Sequence, residues 1–196
     1  MDADTLSPDP TPQSTGTPPT GTTPALVDLP ARDVLAVDGR GAPEDPSFAA
    51  AVSALFATRL ALGADQDVPL EGTYSQGGSL SSADGQPFDL ASPDGWVWRL
   101  LVPAPPRASE ASVAAEAASS GAPVQLRRQA GQRVARLLHR GPYAAEGPSL
   151  EALSAFVAGQ GLVATGPHTE IYLDDPGSTP PADLRTVLQV PVAPVR

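Results

Sequence analysis

The chain has 196 residues, 12 basic and 22 acidic, for a formal net charge of −10, and no cysteine. That balance argues against a direct nucleic-acid partner, because phosphate binding needs a basic surface; the missing cysteines exclude disulfides, thiolate metal sites and a cysteine nucleophile, and they fit a cytoplasmic protein. No stretch approaches the ~20 apolar residues of a membrane-spanning helix, and the acidic start Met1-Asp2-Ala3-Asp4, with no apolar segment after it, is unlike a secretory signal.

Residues 1–24 are Asp, Pro, Thr, Ser and Gly with almost nothing apolar, a composition that reads as a disordered tail. The pattern changes at Leu26. Residues 29–37 read as a strand broken at Pro30-Ala31 and ending at Gly39 and Gly41. Asp45-Pro46 supplies an N-cap followed by a proline at the first helical position. Phe48, Val52, Leu55, Phe56 and Leu60 then recur at helical spacing until Gly63. Residues 69–74 and 96–102 are strand-like, with a polar Gly- and Ser-rich loop over 75–95 between them. Residues 108–118 are rich in Ala and Glu and read either as a linking helix or as a loop, since Ala-rich propensity is a weak signal.

The second half repeats the first. Residues 124–128 and 133–139 are strand-like around Ala130-Gly131. Arg140-Gly141-Pro142 matches Arg40-Gly41-Ala42, and Pro148-Ser149-Leu150 matches Pro46-Ser47-Phe48. A second helix carries Leu150, Leu153, Phe156 and Val157, and strands follow at 169–173 and 184–192. Each half thus reads strand, helix, strand, strand, which predicts two pseudo-symmetric modules. The expected fold class is α+β: an antiparallel sheet with helices on one face and a ligand cleft at the seam between the halves or on the other face. The expected boundaries are a first module over 25–103, a linker over 104–123 and a second module over 124–192.

Side chains alternate between the faces of a strand. In 168–173 one face carries Ile171 and Leu173 and the other His168, Glu170 and Tyr172. The aliphatic face is expected to pack on the helices, which leaves a carboxylate beside a phenol and an imidazole on the opposite face. Trp96 and Trp98 share a face of their strand and either cover a sheet edge or wall a pocket. Tyr143 follows Gly141-Pro142 at the mouth of the second helix, as a corner tyrosine or a pocket wall. Glu71 and Tyr74 lie on the candidate strand of the first half. A carboxylate among aromatic rings suits flat or cationic organic molecules, by charge pairing and attraction to the π faces; the same carboxylate can serve as a general base toward water. The two histidines, His139 and His168, fit no zinc spacing. There is no G-x-S-x-G, no G-x-G-x-x-G and no phosphate loop, so neither a metal nor a cofactor is expected. Five arginines between 127 and 140 stand in a stretch without acids; cross-strand pairing is their expected fate, a protein-facing strip the alternative.

Two segments of the second half, His139-Arg140-Gly141-Pro142-Tyr143 and the run from Gly166-Pro167-His168 through Tyr172-Leu173-Asp174-Asp175-Pro176, resemble the GyrI-like small-molecule-binding domain, the effector domain also found in AraC- and MerR-type regulators. Pro69-Leu70-Glu71-Gly72, Trp98-Arg99-Leu100-Leu101 and 184–192 fit the same pattern, so the resemblance covers about 25–192. It implies two strand–helix–strand–strand modules about a cleft, a buried glutamate at Glu170 that anchors cationic aromatic ligands, and walls from Tyr172, Tyr143, Trp98 and Tyr74, with Glu71 and His168 nearby. It also implies two other activities found among relatives: hydrolysis of strained-ring toxins, which would make Glu170 catalytic, and binding to DNA gyrase. Thr73-Tyr74 stands where relatives often carry Trp, and Thr169 where many have a second His. No DNA-binding helix-turn-helix accompanies the domain, so the expectation is a stand-alone binding domain for a small amphipathic or cationic compound.

Overall fold

The computed structural model describes residues 21–76 and 95–195. The expected tail up to residue 20, and the expected loop over 77–94, lie outside the described residues. The chain runs β1 (Ala25–Leu29), β2 (Arg32–Arg40), α1 (Pro46–Ala61), β3 (Leu70–Gln76), β4 (Trp96–Pro103), α2 (Glu110–Ala117), β5 (Gln125–Gln129) and β6 (Gln132–Arg140). A 3-10 turn (Tyr143–Ala145) follows, then α3 (Gly147–Gly159), β7 (Leu162–Ala164), β8 (Thr169–Tyr172), a second 3-10 turn (Pro181–Asp183) and β9 (Arg185–Pro194). Among the described residues no helix is long and apolar enough to cross a membrane.

The α+β expectation holds. The strands pair antiparallel in the order β1-β6-β9-β8-β3-β4-β2-β5, with β7 added to β9. The order is symmetric about the β8–β3 seam, since β6, β9 and β8 of one half mirror β2, β4 and β3 of the other. One feature departs from a simple tandem repeat: the first strands are exchanged, β1 pairing with β6 and β5 with β2. Residues 25–36 consequently run against 136–125 in unbroken register, and the two chains cross at Pro30-Ala31 and Ala130-Gly131. Gly131 is needed there, because a Cβ on it would stand 3.1 Å from the Leu29 carbonyl oxygen and 3.2 Å from the Ala31 nitrogen. Three of the five arginines pair across strands as expected: Arg127 with Asp38, Arg128 with Asp33 and Arg133 with Asp28.

Both long helices lie on one face. The register places Leu35, Val37, Trp98, Leu100 and Val102 under α1, and Ala135, Leu137 and Leu188 under α3 with Leu153 and Val157. Each such side chain, fully buried, stabilises the fold by roughly 1.5–3 kcal/mol. The reverse face is also apolar, with Val34, Ala36 and Leu101 in one cluster and Val134, Leu138 and Val187 buried further round. Helix α2 carries the capping box between Ser109 and Ser112 and buries Val113 against the α1 core, which decides for a helix in the linker. Leu60 is a correction: it is 58% exposed, because the helix turns Ala51, Leu55 and Thr58 to the sheet instead.

The candidate ligand pocket

The seam strands set the site. Gly72 of β3 stands opposite Glu170 of β8, Leu70 opposite Tyr172, and Glu170 in turn opposite Leu188 of β9. Residues directly opposite share a face, and Leu188 lies in the core beneath α3. Glu170 and Tyr172 therefore point to the helix side. This reverses the expectation that Ile171 and Leu173 would pack on the helices: Ile171 is opposite Glu71 and Val187 on the reverse face. The physical reason is that α1 and α3 each cover their own half and leave the seam uncovered, so its polar side chains face a cavity between them.

That cavity measures about 950 Å³. Phe48, Val52 and Phe56, four residues apart on α1, form one wall with Val68 and Leu70; Tyr74, Trp96, Tyr143 and Tyr172 form the rest of the aromatic lining. Tyr143 and Tyr172 meet edge to face at 5.4 Å between ring centres, and Tyr74 meets Trp96 at 5.7 Å.

Glu170 is 6% exposed and has both oxygens engaged. His168 Nε2 stands 3.0 Å from Oε1, and the Tyr172 hydroxyl donates to Oε2 at 2.8 Å. The Tyr172 and Tyr74 hydroxyls lie 2.6 Å apart. These tyrosines occupy equivalent positions in the two halves, so the chain of hydrogen bonds bridges the pseudo-twofold axis. Gly72 makes room for it: a Cβ there would fall 2.5 Å from the Tyr74 hydroxyl. Burial and then the Glu170 charge push the Tyr74 and Tyr172 phenols well above their ordinary range, so both remain neutral donors. Tyr143 is pushed up to about 12 by burial first and then by Glu146 and Glu170.

Glu146, at the end of the turn that carries Tyr143, is a second acid on the wall. It is 1% exposed, and neither carboxylate oxygen makes a well-formed hydrogen bond; the Thr186 hydroxyl beside it is the one group that favours the charged form. Burial, and next the charge of Glu170, raise its pKa to about 9, so at neutral pH it is a carboxylic acid.

Of the residues expected at the site, Glu170, Tyr172, Tyr143 and Tyr74 line the cavity. His168 stands beside Glu170 as its partner and is not among the wall residues. Trp98 is not a wall: it is 1% exposed, packed under Phe48 and against Gly39, so its ring belongs to the core. Glu71 is not in the cavity either. It lies on the reverse face, where Arg32 grips both oxygens at 2.7 and 2.5 Å. The two glutamates look alike in sequence, but Glu71 is one residue out of phase with Glu170, and one residue changes the face. Sequence reasoning missed Glu146 as a wall residue, left Trp96 open between a sheet-edge cover and a pocket wall, and read Phe48 and Phe56 as part of the helical repeat; all four line the cavity. A signal for Glu146 was available: Glu44-Asp45-Pro46-Ser47 and Glu146-Gly147-Pro148-Ser149 extend the repeat, and Glu44 lines the cavity as well.

Such a fold with such a cavity defines a domain built to take up small molecules. Residues 107–193, which include Tyr143, Glu146, Glu170 and Tyr172, match the family model of the GyrI-like small molecule binding domain. Among solved structures, the chain is similar to an uncharacterized conserved protein from Listeria innocua, at 26% identity and a TM-score of 0.74, covering 88% of this chain and 93% of that one. It is similar to a hydrolase from Listeria innocua at 25% identity and a TM-score of 0.73, over the same shares. The EcmrR C-terminal domain, at 14% identity, a TM-score of 0.60 and coverage of 88% and 98%, shares the fold. No curated protein matches the chain at a significant level.

Proposed function

We propose that the cavity binds a small, flat, cationic organic molecule, with Glu170 as its charge partner. One observation carries this reading. Apart from its phenols, the ionisable side chains that line the cavity all belong to acids (Glu44, Asp67, Glu146, Glu170, Asp174 and Asp175), while its bulk is aromatic and aliphatic. A cation entering it meets π faces and negative charge, and finds no guanidinium in competition. Glu170 suits the role because His168 and Tyr172 hold it in a fixed place before the ligand arrives, which lowers the ordering cost of binding. The test is titration of the protein with ethidium, followed by quenching of Trp96 fluorescence. Saturable quenching that weakens in Glu170→Gln supports the reading. Absence of saturable binding to cationic aromatic dyes contradicts it.

A second reading, hydrolysis, is favoured by the proton on Glu146 facing the charge of Glu170, and by the similarity to a hydrolase. In it, water attacks an electrophilic carbon of the ligand, Glu170 accepts the water proton, and Glu146 donates its own to the heteroatom that takes the electrons of the broken bond. Incubation with strained-ring aromatic electrophiles, followed by mass spectrometry, separates the readings. Gain of one water that stops in Glu170→Gln is turnover; unchanged ligand with quenched fluorescence is binding alone.

A further inference from the structure

Glu146 and Glu170 line the same cavity but are held in opposite ways. Glu170 has both oxygens hydrogen-bonded, whereas Glu146 is as deeply buried and makes no well-formed hydrogen bond at either oxygen, with only the Thr186 hydroxyl beside it. Burial and the nearby charge of Glu170 disfavour an anion here more than the Thr186 hydroxyl favours it, so Glu146 holds its proton at neutral pH when no cation is bound. Resting on the cation-binding reading, we propose that the two acids form a receptor of adjustable charge: Glu146 keeps its proton when the ligand brings one positive charge and releases it when the ligand brings two, so one pocket accepts monocationic and dicationic aromatic compounds.

The surroundings of Glu146 support the assignment. Tyr143 faces it from its own turn, Tyr74 from β3, Glu170 from β8 and Thr186 from β9, with Tyr172, Glu44, Asp174 and Asp175 elsewhere on the wall. None of these is a cation, so no group on this wall among the described residues offsets a negative charge on Glu146, and a bound cation would supply it. The tyrosines stay neutral throughout the range in which Glu146 titrates near 9. The two histidines near the site are held in bonds of their own, His168 to Glu170 and His139 to Ser149 at 2.9 Å.

Ethidium and propidium test the idea, since they share one chromophore and differ by a second fixed positive charge. Calorimetric titration at pH 7.5, in buffers of different ionisation heat, counts the protons released. The expected result is release of up to one proton with propidium and little with ethidium. Propidium affinity should rise between pH 7 and 9, by up to about tenfold per unit for one linked proton, while ethidium affinity changes less than threefold. Glu146→Gln, a neutral isostere of the protonated acid, should abolish both the proton release and the pH dependence for propidium. Identical proton counts for the two dyes overturn the proposal and leave the cation-binding reading standing. Retention of the wild-type pH dependence in Glu146→Gln also overturns it, by assigning the titration to another group. Failure of both dyes to bind overturns the underlying reading and the proposal with it. Should the variant not fold, the wild-type proton counts decide alone.

Discussion

Replacing Glu146 by glutamine should change how stability depends on pH, with no ligand present. Burial raises this acid from its ordinary 4.5 to about 9 in the folded protein. Between those values the native state holds a proton that the unfolded chain has lost. The contribution is therefore complete below pH 4.5, declines as pH rises, and is gone above 9. For one proton the slope approaches 1.4 kcal/mol per pH unit inside the window. The accumulated loss between pH 5 and 9 is on the order of a few kcal/mol, reduced wherever Glu146 and Glu170 relax together. Glutamine keeps the shape and the neutrality but cannot ionise. Urea denaturation at half-unit steps from pH 5 to 9 measures the effect, and subtracting the two profiles removes the titration of every other group. The variant should lose less stability than wild type as pH rises, and overtake it at the alkaline end. Parallel profiles across the whole range would refute the argument that Glu146 is neutral because it is buried near the charge of Glu170.

Three other substitutions test the geometry. Gly39→Ala drives a Cβ into the six-membered ring of Trp98, which Phe48 pins at 5.2 Å; overpacking of this kind costs about 1–3 kcal/mol, so urea denaturation showing no loss would restore Trp98 as a mobile pocket wall. Tyr172→Phe removes the donor to Glu170 Oε2 and the partner of the Tyr74 hydroxyl; a loss of about 1–2 kcal/mol in stability, with several-fold weaker ethidium binding by fluorescence, is expected. Glu71→Ala breaks the bidentate pair with Arg32 and should cost about 1–3 kcal/mol in denaturation, since the half-exposed Arg32 can be solvated, yet leave the ethidium dissociation constant within about twofold, because Glu71 lies on the other face; a large change in affinity would show that the faces are misassigned.

Much of the fold was legible locally. Gly41 and Gly141 end matching strands at φ +95° and +126°, and each donates its amide to the chain entering or leaving a neighbouring strand, at Trp96 and Leu184. That equivalence is written in Arg40-Gly41 and Arg140-Gly141, so the two halves were visible as a repeat. The exchange of β1 and β5 was not visible, because both are five-residue strands, ALVDL and QLRRQ, with nothing local to name a partner, and which partner each finds depends on contacts about a hundred residues away. The site was legible in composition but not in direction. Alternation put Glu170 and Tyr172 on one face of β8 correctly, but which face looks toward the helices follows from how α1 and α3 straddle the seam. The same limit misplaced Trp98: it shares a face with Trp96, and only the crossing of Phe48 above it decides that Trp98 is covered while Trp96 meets the cavity. Glu146 escaped because the repeat with Glu44 marks its position, while nothing in a turn Ala-Glu-Gly-Pro says that its side chain will be turned inward.

Calorimetric titration of wild type and Glu170→Gln with ethidium and with dihydroethidium, its uncharged reduced form, tests the central claim most directly. Wild type should prefer the cation by about 1–3 kcal/mol, the scale of a charged partner in a buried site, and the variant should lose most of that preference while retaining the aromatic contribution common to both compounds. Equal affinity of wild type for the two compounds, or a preference for the cation that survives in Glu170→Gln, would contradict it.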